Sequence, residues 1–157
     1  MNLSTNLTLS EVCKSQTASR LGINNKPDEE FIVDNLRAVA REVFQPCRDH
    51  VGGPLYVSSG YRSRALNDAI GGSKSSQHIS GMALDLDTDV FGGCTNGDLF
   101  NFIKENLVFD QLIWEFGDDN NPDWIHVSFN RLGDNRGRCM RAVRHEDGGT
   151  EYQVIVR

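Results

Sequence analysis

Two short stretches with strict two-residue alternation constrain this chain more than any other feature. Met82 to Asp87 places Met82, Leu84 and Leu86 on one face and Ala83, Asp85 and Asp87 on the other. Trp124 to Asn130 repeats the pattern, with Ile125, Val127 and Phe129 facing one way and Trp124, His126 and Ser128 the other. Both read as strands with one face in a core. Their apolar faces turn inward, so Asp85 and His126 are left to converge on one open face.

The other elements are set by helical spacing and turn residues. Ile32, Leu36, Val39, Ala40, Val43 and Cys47 form one stripe at intervals of three and four, which predicts a helix from Glu29 to Phe44 capped by Asp28. Pro46 bends or ends it. Shorter helices are predicted over Thr8 to Ser19, Ser63 to Ile70 and Asp98 to Asn106, the last capped by Thr95 or Asn96. Leu55 to Ser58 and Phe109 to Phe116 are further strand candidates, and Tyr152 to Val156 reads as an edge strand. Leu21 to Pro27, Lys74 to Ser80 and Asp118 to Pro122 are loops or turns. Helices and strands do not alternate regularly, so the expectation is an α+β fold with a mostly antiparallel sheet flanked by helices. The 157 residues suit one domain, and nothing in the composition marks a linker. Residues 131–157 form a basic tail, with Arg131, Arg136, Arg138, Arg141 and Arg144 inside fourteen residues. That tail reads either as a binding surface or as a solvated, disordered stretch.

Charge excludes some partners. Sixteen Lys and Arg against twenty-two Asp and Glu give a formal net charge of −6, which argues against nucleic acid and against anionic lipid. No apolar run approaches the ~20 residues of a membrane span. Met1 to Ser19 lacks the basic end and apolar stretch of a secretory signal, so synthesis is expected to end in a cytoplasm. Cys13, Cys47, Cys94 and Cys139 lie 34, 47 and 45 residues apart and form no Cys-x-x-Cys pair. They read as reduced thiols acting as small hydrophobes.

The chemistry gathers in two places. Ser76-Gln-His78-Ile-Ser-Gly81-Met-Ala83-Leu-Asp85 carries a histidine in a polar loop and a carboxylate on the following strand, with Gly81 turning the chain between them. Asp123-Trp-Ile-His126-Val-Ser128 carries the second histidine. Two imidazoles and a carboxylate are a donor set that suits zinc, and three protein ligands leave a fourth position for water. Each histidine alone is more often an ordinary hydrogen-bonded residue, and His50 and His145 read that way.

From Leu9 to about Asn130 the chain resembles the zinc D-alanyl-D-alanine carboxypeptidases, which share a fold with the hedgehog signalling domain. The likeness is strongest to their short, single-domain branch common in phages and prophages. It rests on Ser76-Gln-His78, Gly81-Met-Ala83-Leu-Asp85 and Asp123-Trp-Ile-His126. Ser58-Ser-Gly60-Tyr-Arg62-Ser, Leu66-Asn67, Gly71-Gly-Ser73, Leu9-Ser-Glu11, Ser15-Gln-Thr-Ala18 and Asn35-Leu36-Arg37 add to it.

The resemblance implies zinc held by His78, Asp85 and His126. It implies Asp123 as the proton-shuttling carboxylate and Arg62 as the cation that polarises the scissile carbonyl. Ser76 and Tyr61 are implied as substrate-binding residues. Glu115, in Leu112-Ile-Trp-Glu115, is the rival base, although the motif favours Asp123. Asp87 is an alternative ligand or a partner orienting a histidine, and Trp114 and Trp124 wall the cleft or fill the core. The implied activity is hydrolysis of amide bonds in peptidoglycan stem peptides, as a D-Ala-D-Ala carboxypeptidase or a cross-link endopeptidase. The implied setting is phage or prophage lysis or wall penetration. The rival readings are a non-catalytic zinc-binding virion or interaction module on the same fold, and a zinc amidase.

Overall fold

The computed structural model describes residues 1–155. The chain opens with a small antiparallel hairpin, β1 (Asn2–Ser4) and β2 (Leu7–Thr8), followed by α1 (Leu9–Val12) and α2 (Gln16–Leu21). The single helix expected over Thr8 to Ser19 is thus two. Thr8 and Glu11 form a reciprocal capping box on α1. Ser15 then accepts the N–H of Ala18 and starts a new helix, so Cys13 and Lys14 become a corner.

The predicted apolar stripe forms α3 (Glu30–Val39), a π-helical segment (Ala40–Phe44) and α4 (Gln45–Val51). All six stripe residues are buried. Glu29, not Asp28, occupies the cap position of α3. Pro46 neither ends nor breaks the path. It lacks an N–H and its ring crowds the preceding turn, and the widened π turn just before it accommodates both defects. Gly52, at φ 74°, then closes α4 in the left-handed region.

Next come β3 (Tyr56–Ser59), α5 (Arg64–Ala69), β4 (Ala83–Asp87), α6 (Asn96–Asn106), β5 (Gln111–Glu115), β6 (Trp124–Ser128), β7 (Arg138–Arg144) and β8 (Thr150–Ile155). The last six strands form one sheet in the order β3-β4-β6-β5-β7-β8. Every pairing is antiparallel except that of β5 with β7. Leu84, Leu86, Leu112, Ile125, Val127 and Cys139 point to the helical side and join the main core with Leu36, Val39, Phe44 and Ile103. The opposite face carries the polar groups. All four cysteines are free thiols; Cys47 and Cys139 are buried and Cys13 and Cys94 half-buried.

The basic tail is largely ordered structure. Residues 138–155 contribute the β7–β8 hairpin and extend the sheet beyond β5. Arg136 clamps Asp110 through Nε and Nη2, both at 2.9 Å, and Arg144 stacks 3.9 Å from the Phe116 ring centre. Arg131 donates to Asn35 and Arg141 pairs with Asp119. The predicted edge strand is β8; Val156 lies outside the described residues.

Candidate metal centre

Register brings the site together. Asp85 on β4 pairs with His126 on β6, which pairs with Ile113 on β5. One step along, Trp124 pairs with Glu115 on the same face. Asp85 therefore sits between a histidine from its own sheet and His78, delivered by the polar loop. His78 Nε2 and His126 Nδ1 each lie 3.2 Å from Asp85 Oδ1, and all three residues are buried. Their ligand atoms lie within 4.8 Å of one another.

Two glycines make the loop possible. Gly60 packs so closely on Val12 that a Cβ would collide with that residue's backbone, and its carbonyl meets His78 Nδ1 at 2.7 Å. Gly81, at φ 76°, turns the chain from the loop into β4 and passes close against Ile32 and Leu36. Arg62 is joined to this loop by its own N–H, which donates to the His78 carbonyl.

The donor chemistry fits a metal ion. Gly60 accepts the proton on His78 Nδ1, which leaves the Nε2 lone pair facing a carboxylate oxygen. Two such acceptors repel unless a cation lies between them. Among the described residues His126 Nε2 is buried with no hydrogen-bond partner, while Nδ1 faces Asp85. Without an ion the Asp85 carboxyl is held well below the usual carboxylate range: burial opposes ionisation, but the charge and hydrogen bonds of the two imidazoles, protonated where the ion would otherwise sit, outweigh it.

Arg62 stands on the other side of Asp85, with Nη2 3.7 Å from Oδ2. Its Nε donates to Ser59 Oγ at 3.2 Å and its Nη1 to Asn67 Oδ1 at 3.4 Å, so the guanidinium is held from three directions. Burial draws its pKa below the arginine norm, against the pull of Asp85 and Glu115. Glu115 is 8% exposed and lines the same cleft. Burial pushes its carboxyl up to about 7; His126 opposes this and the negative Asp85 adds to it.

The cleft has a volume of about 700 Å³. Ser73, Ser75, Ser76 and Gln77 form its polar side, with Ser76 Oγ accepting the His78 N–H. Trp124 also lines the cleft. Trp114 packs against the core and on Phe100, and its Nε1 donates to the Asp118 carbonyl.

Three expectations are corrected in placement. Asp123 is exposed and lies outside the cleft lining; it bonds through its backbone, its N–H to the Glu115 carbonyl and its own carbonyl to Asn96. It precedes β6 on the parity opposite to His126, so the strand carries it away from the ligands. Tyr61 is buried in the main core instead of lining the metal cleft. Asp87 accepts from Asn96 Nδ2 and takes no part in the ligand cluster.

The sequence marks Asn96 only as a candidate helix cap; Thr95 is the cap, and Asn96 is a fully buried amide that ties Thr88, Asp87, Pro122 and Asp123 together. Sequence reasoning missed Asp110, which grips Gln77 of the loop and Arg136 of the tail. Neither belongs to a periodic pattern.

Three converging ligands leave a tetrahedral ion one position for water, which separates metal-dependent hydrolases from closed structural zinc sites. A buried carboxyl and a fixed guanidinium in the same cleft agree with that class. Residues 5–128 match the sequence model of Peptidase M15, and the chain belongs to that family of zinc-dependent metallopeptidases. A comparison with curated proteins gives no match.

Proposed function

We propose that this chain hydrolyses an amide bond in peptidoglycan stem peptides, with Glu115 as the proton-transferring carboxylate. The observation that carries the assignment is the placement of Glu115. It is buried in the cleft, on the ligand-bearing face, one pairing step from His126. His78, Asp85 and His126 would hold the zinc. That ion, when bound, supplies Lewis acidity and lowers the pKa of a water toward ~7. Glu115 takes the proton of the attacking water and returns it to the leaving amine. A carboxyl with a pKa near neutrality can do both. Arg62 is the donor that aligns the scissile carbonyl and faces the negative charge that develops on it. Its three anchors keep it from moving during the reaction. Ser76 is proposed to meet polar atoms of the peptide at the loop side.

Hydrolysis at the terminal D-Ala or at a cross-link, in a phage or prophage lysis or wall-entry protein made in the host cytoplasm, is the finer reading. It rests on the motif likeness. The test is to incubate zinc-loaded protein with isolated muropeptides and follow masses. Free D-alanine marks a carboxypeptidase, separated cross-links an endopeptidase, and whole stem peptides freed from sugar an amidase. Glu115→Gln is expected to lower the rate by about 10²–10⁴-fold, whereas Asp123→Ala keeps most of it. The reverse ranking would move the base to Asp123.

A further inference from the structure

Arg62 lies between β3 and α5, in a stretch that is neither strand nor helix. Its guanidinium is anchored on the cleft side, but no strand ladder or helix fixes its backbone. One side chain from behind the cleft does so instead. Asn25, in the loop after α2, is 7% exposed. Its Nδ2 donates to the Tyr61 carbonyl at 3.0 Å and to the Cys13 carbonyl at 2.9 Å, and its Oδ1 accepts the Ser63 N–H at 2.8 Å. Two carbonyls at the nitrogen and one N–H at the oxygen define which way the amide points.

The Tyr61 carbonyl belongs to the peptide plane on one side of the Arg62 Cα, and the Ser63 N–H to the plane on the other. Rotation about either backbone torsion of Arg62 therefore breaks a bond to Asn25. The Arg62 N–H adds a third tie, to the His78 carbonyl at 3.1 Å, and the Tyr61 N–H donates to the Val12 carbonyl at 2.8 Å. The N-terminal segment thus backs the residues that carry the guanidinium. Asn25 is absent from the lining of the metal cleft and borders a separate hollow beside α1 and α2. Any effect it has on the reaction passes through the segment that carries Arg62.

We infer that Asn25 is a positioning residue for the reaction proposed above: it fixes the Arg62 backbone so that the guanidinium meets the scissile carbonyl as negative charge develops. The inference rests on that reading of Arg62. A long side chain amplifies a small rotation at its Cα into a large displacement at its tip. A misplaced donor loses its bond to the developing charge while ground-state binding changes little. The amide is matched to the three groups it meets. Aspartate would keep the Ser63 bond but set an oxygen against two carbonyls, and alanine would leave all three backbone groups without this partner.

The test follows muropeptide cleavage by zinc-loaded full-length protein, with rates taken per bound zinc. Asn25→Ala is expected to lower kcat by about tenfold or more with little change in KM, as loss of a transition-state interaction does. Added to Arg62→Ala it lowers kcat no further, because nothing is left for it to place. Asn24→Ala, an exposed neighbour in the same loop, leaves kcat unchanged. Amide hydrogen exchange of the metal-free protein gives a readout apart from turnover. In Asn25→Ala the Arg62 and Ser63 amides exchange about tenfold faster or more, while those of β4 hold their rates. Losses that multiply in the double variant, a rise in KM with kcat intact, or a like fall in Asn24→Ala each overturn the inference. Unchanged exchange at Arg62 and Ser63 does so as well. If Asn25→Ala does not fold, Asn25→Ser, which keeps a hydroxyl at the site, is read the same way. Failure of both to fold makes Asn25 a structural residue and overturns the inference. A wild type that cleaves no muropeptide overturns the stem-peptide reading and this inference with it; where the wild type is active, the variants alone decide.

Discussion

Glu115 carries a consequence that does not need turnover to observe. Its carboxyl titrates at about 7 in the fold against 4.5 in an unfolded chain. Between those values the folded protein holds a proton that the unfolded chain has released. Stability of the metal-free protein therefore falls as pH rises through that window and levels off above it. Glu115→Gln removes the dependence. Denaturant titration of metal-free protein is expected to show the variant more stable than wild type at pH 8, by on the order of 2–3 kcal/mol, and no gain at pH 4. Zinc shrinks the difference, since a cation near Asp85 favours the ionised carboxyl. Asp85 behaves in the opposite sense. Its depressed pKa gives stability that is present above the ordinary carboxylate range and lost as pH falls below it. A variant no more stable than wild type at pH 8 would mean that Glu115 is solvated and ill suited to the role assigned here. At this scale the grouping of His78, Asp85 and His126 was legible in the sequence, and the placement of Asp123 outside the cleft was not. His78, Asp85 and His126 follow from strand parity plus a motif. Choosing between Asp123 and Glu115 requires knowing where β6 begins, and Pro122 left that open.

Among the elements, the loop that carries His78 is held from outside the ligand set. Gln77 donates to Asp110 Oδ2 at 2.9 Å, and Arg136 binds the same carboxylate at 2.9 Å through each of two nitrogens. These bonds, the Arg136 side-chain pair foremost, draw the Asp110 carboxyl down to about 2. Asp110→Ala strands the Gln77 amide and releases the start of the tail. A loss on the order of 1–3 kcal/mol is expected, read by denaturant unfolding, together with weaker zinc binding read by competition with a chelator. Unchanged zinc affinity would show that Gly60 and Ser76 suffice to place His78. The elements divide by the kind of signal they carry. The α3 stripe and the alternating β4 and β6 were legible because each has one unbroken apolar face. β7 was not: Arg138-Cys-Met-Arg-Ala-Val-Arg144 sets cationic residues among the apolar ones, and both its faces are used, Cys139 in the main core and Met140 and Ala142 in a second apolar cluster with Ile113. The pairing of β1 with β2 escaped notice because two- and three-residue strands have too few positions for a period.

For the molecule as a whole, the candidate metal centre is where parts distant in sequence meet on one sheet. Arg62 and the His78 loop follow β3, Asp85 lies on β4 and His126 on β6, and the β7–β8 hairpin closes the far wall. An ion held by His78, Asp85 and His126 joins a loop to two central strands and supplies the positive charge their donor atoms lack. Binding to the folded chain alone stabilises it by mass action, about 4 kcal/mol when free zinc is a thousandfold above its dissociation constant. In a domain of this size that corresponds to a rise in Tm of about 10 °C. Thermal unfolding with and without zinc, beside metal content by mass spectrometry, measures both quantities. About one zinc per chain and a Tm that falls on chelation are expected for the wild type. His126→Ala should lose the bound zinc and the zinc-dependent part of Tm. Asp123→Ala should keep both, because its side chain lies outside the cluster. A folded wild type that takes up no zinc and shows no shift would leave the three ligands as a buried hydrogen-bonded group, and would remove the metal from the reaction proposed here.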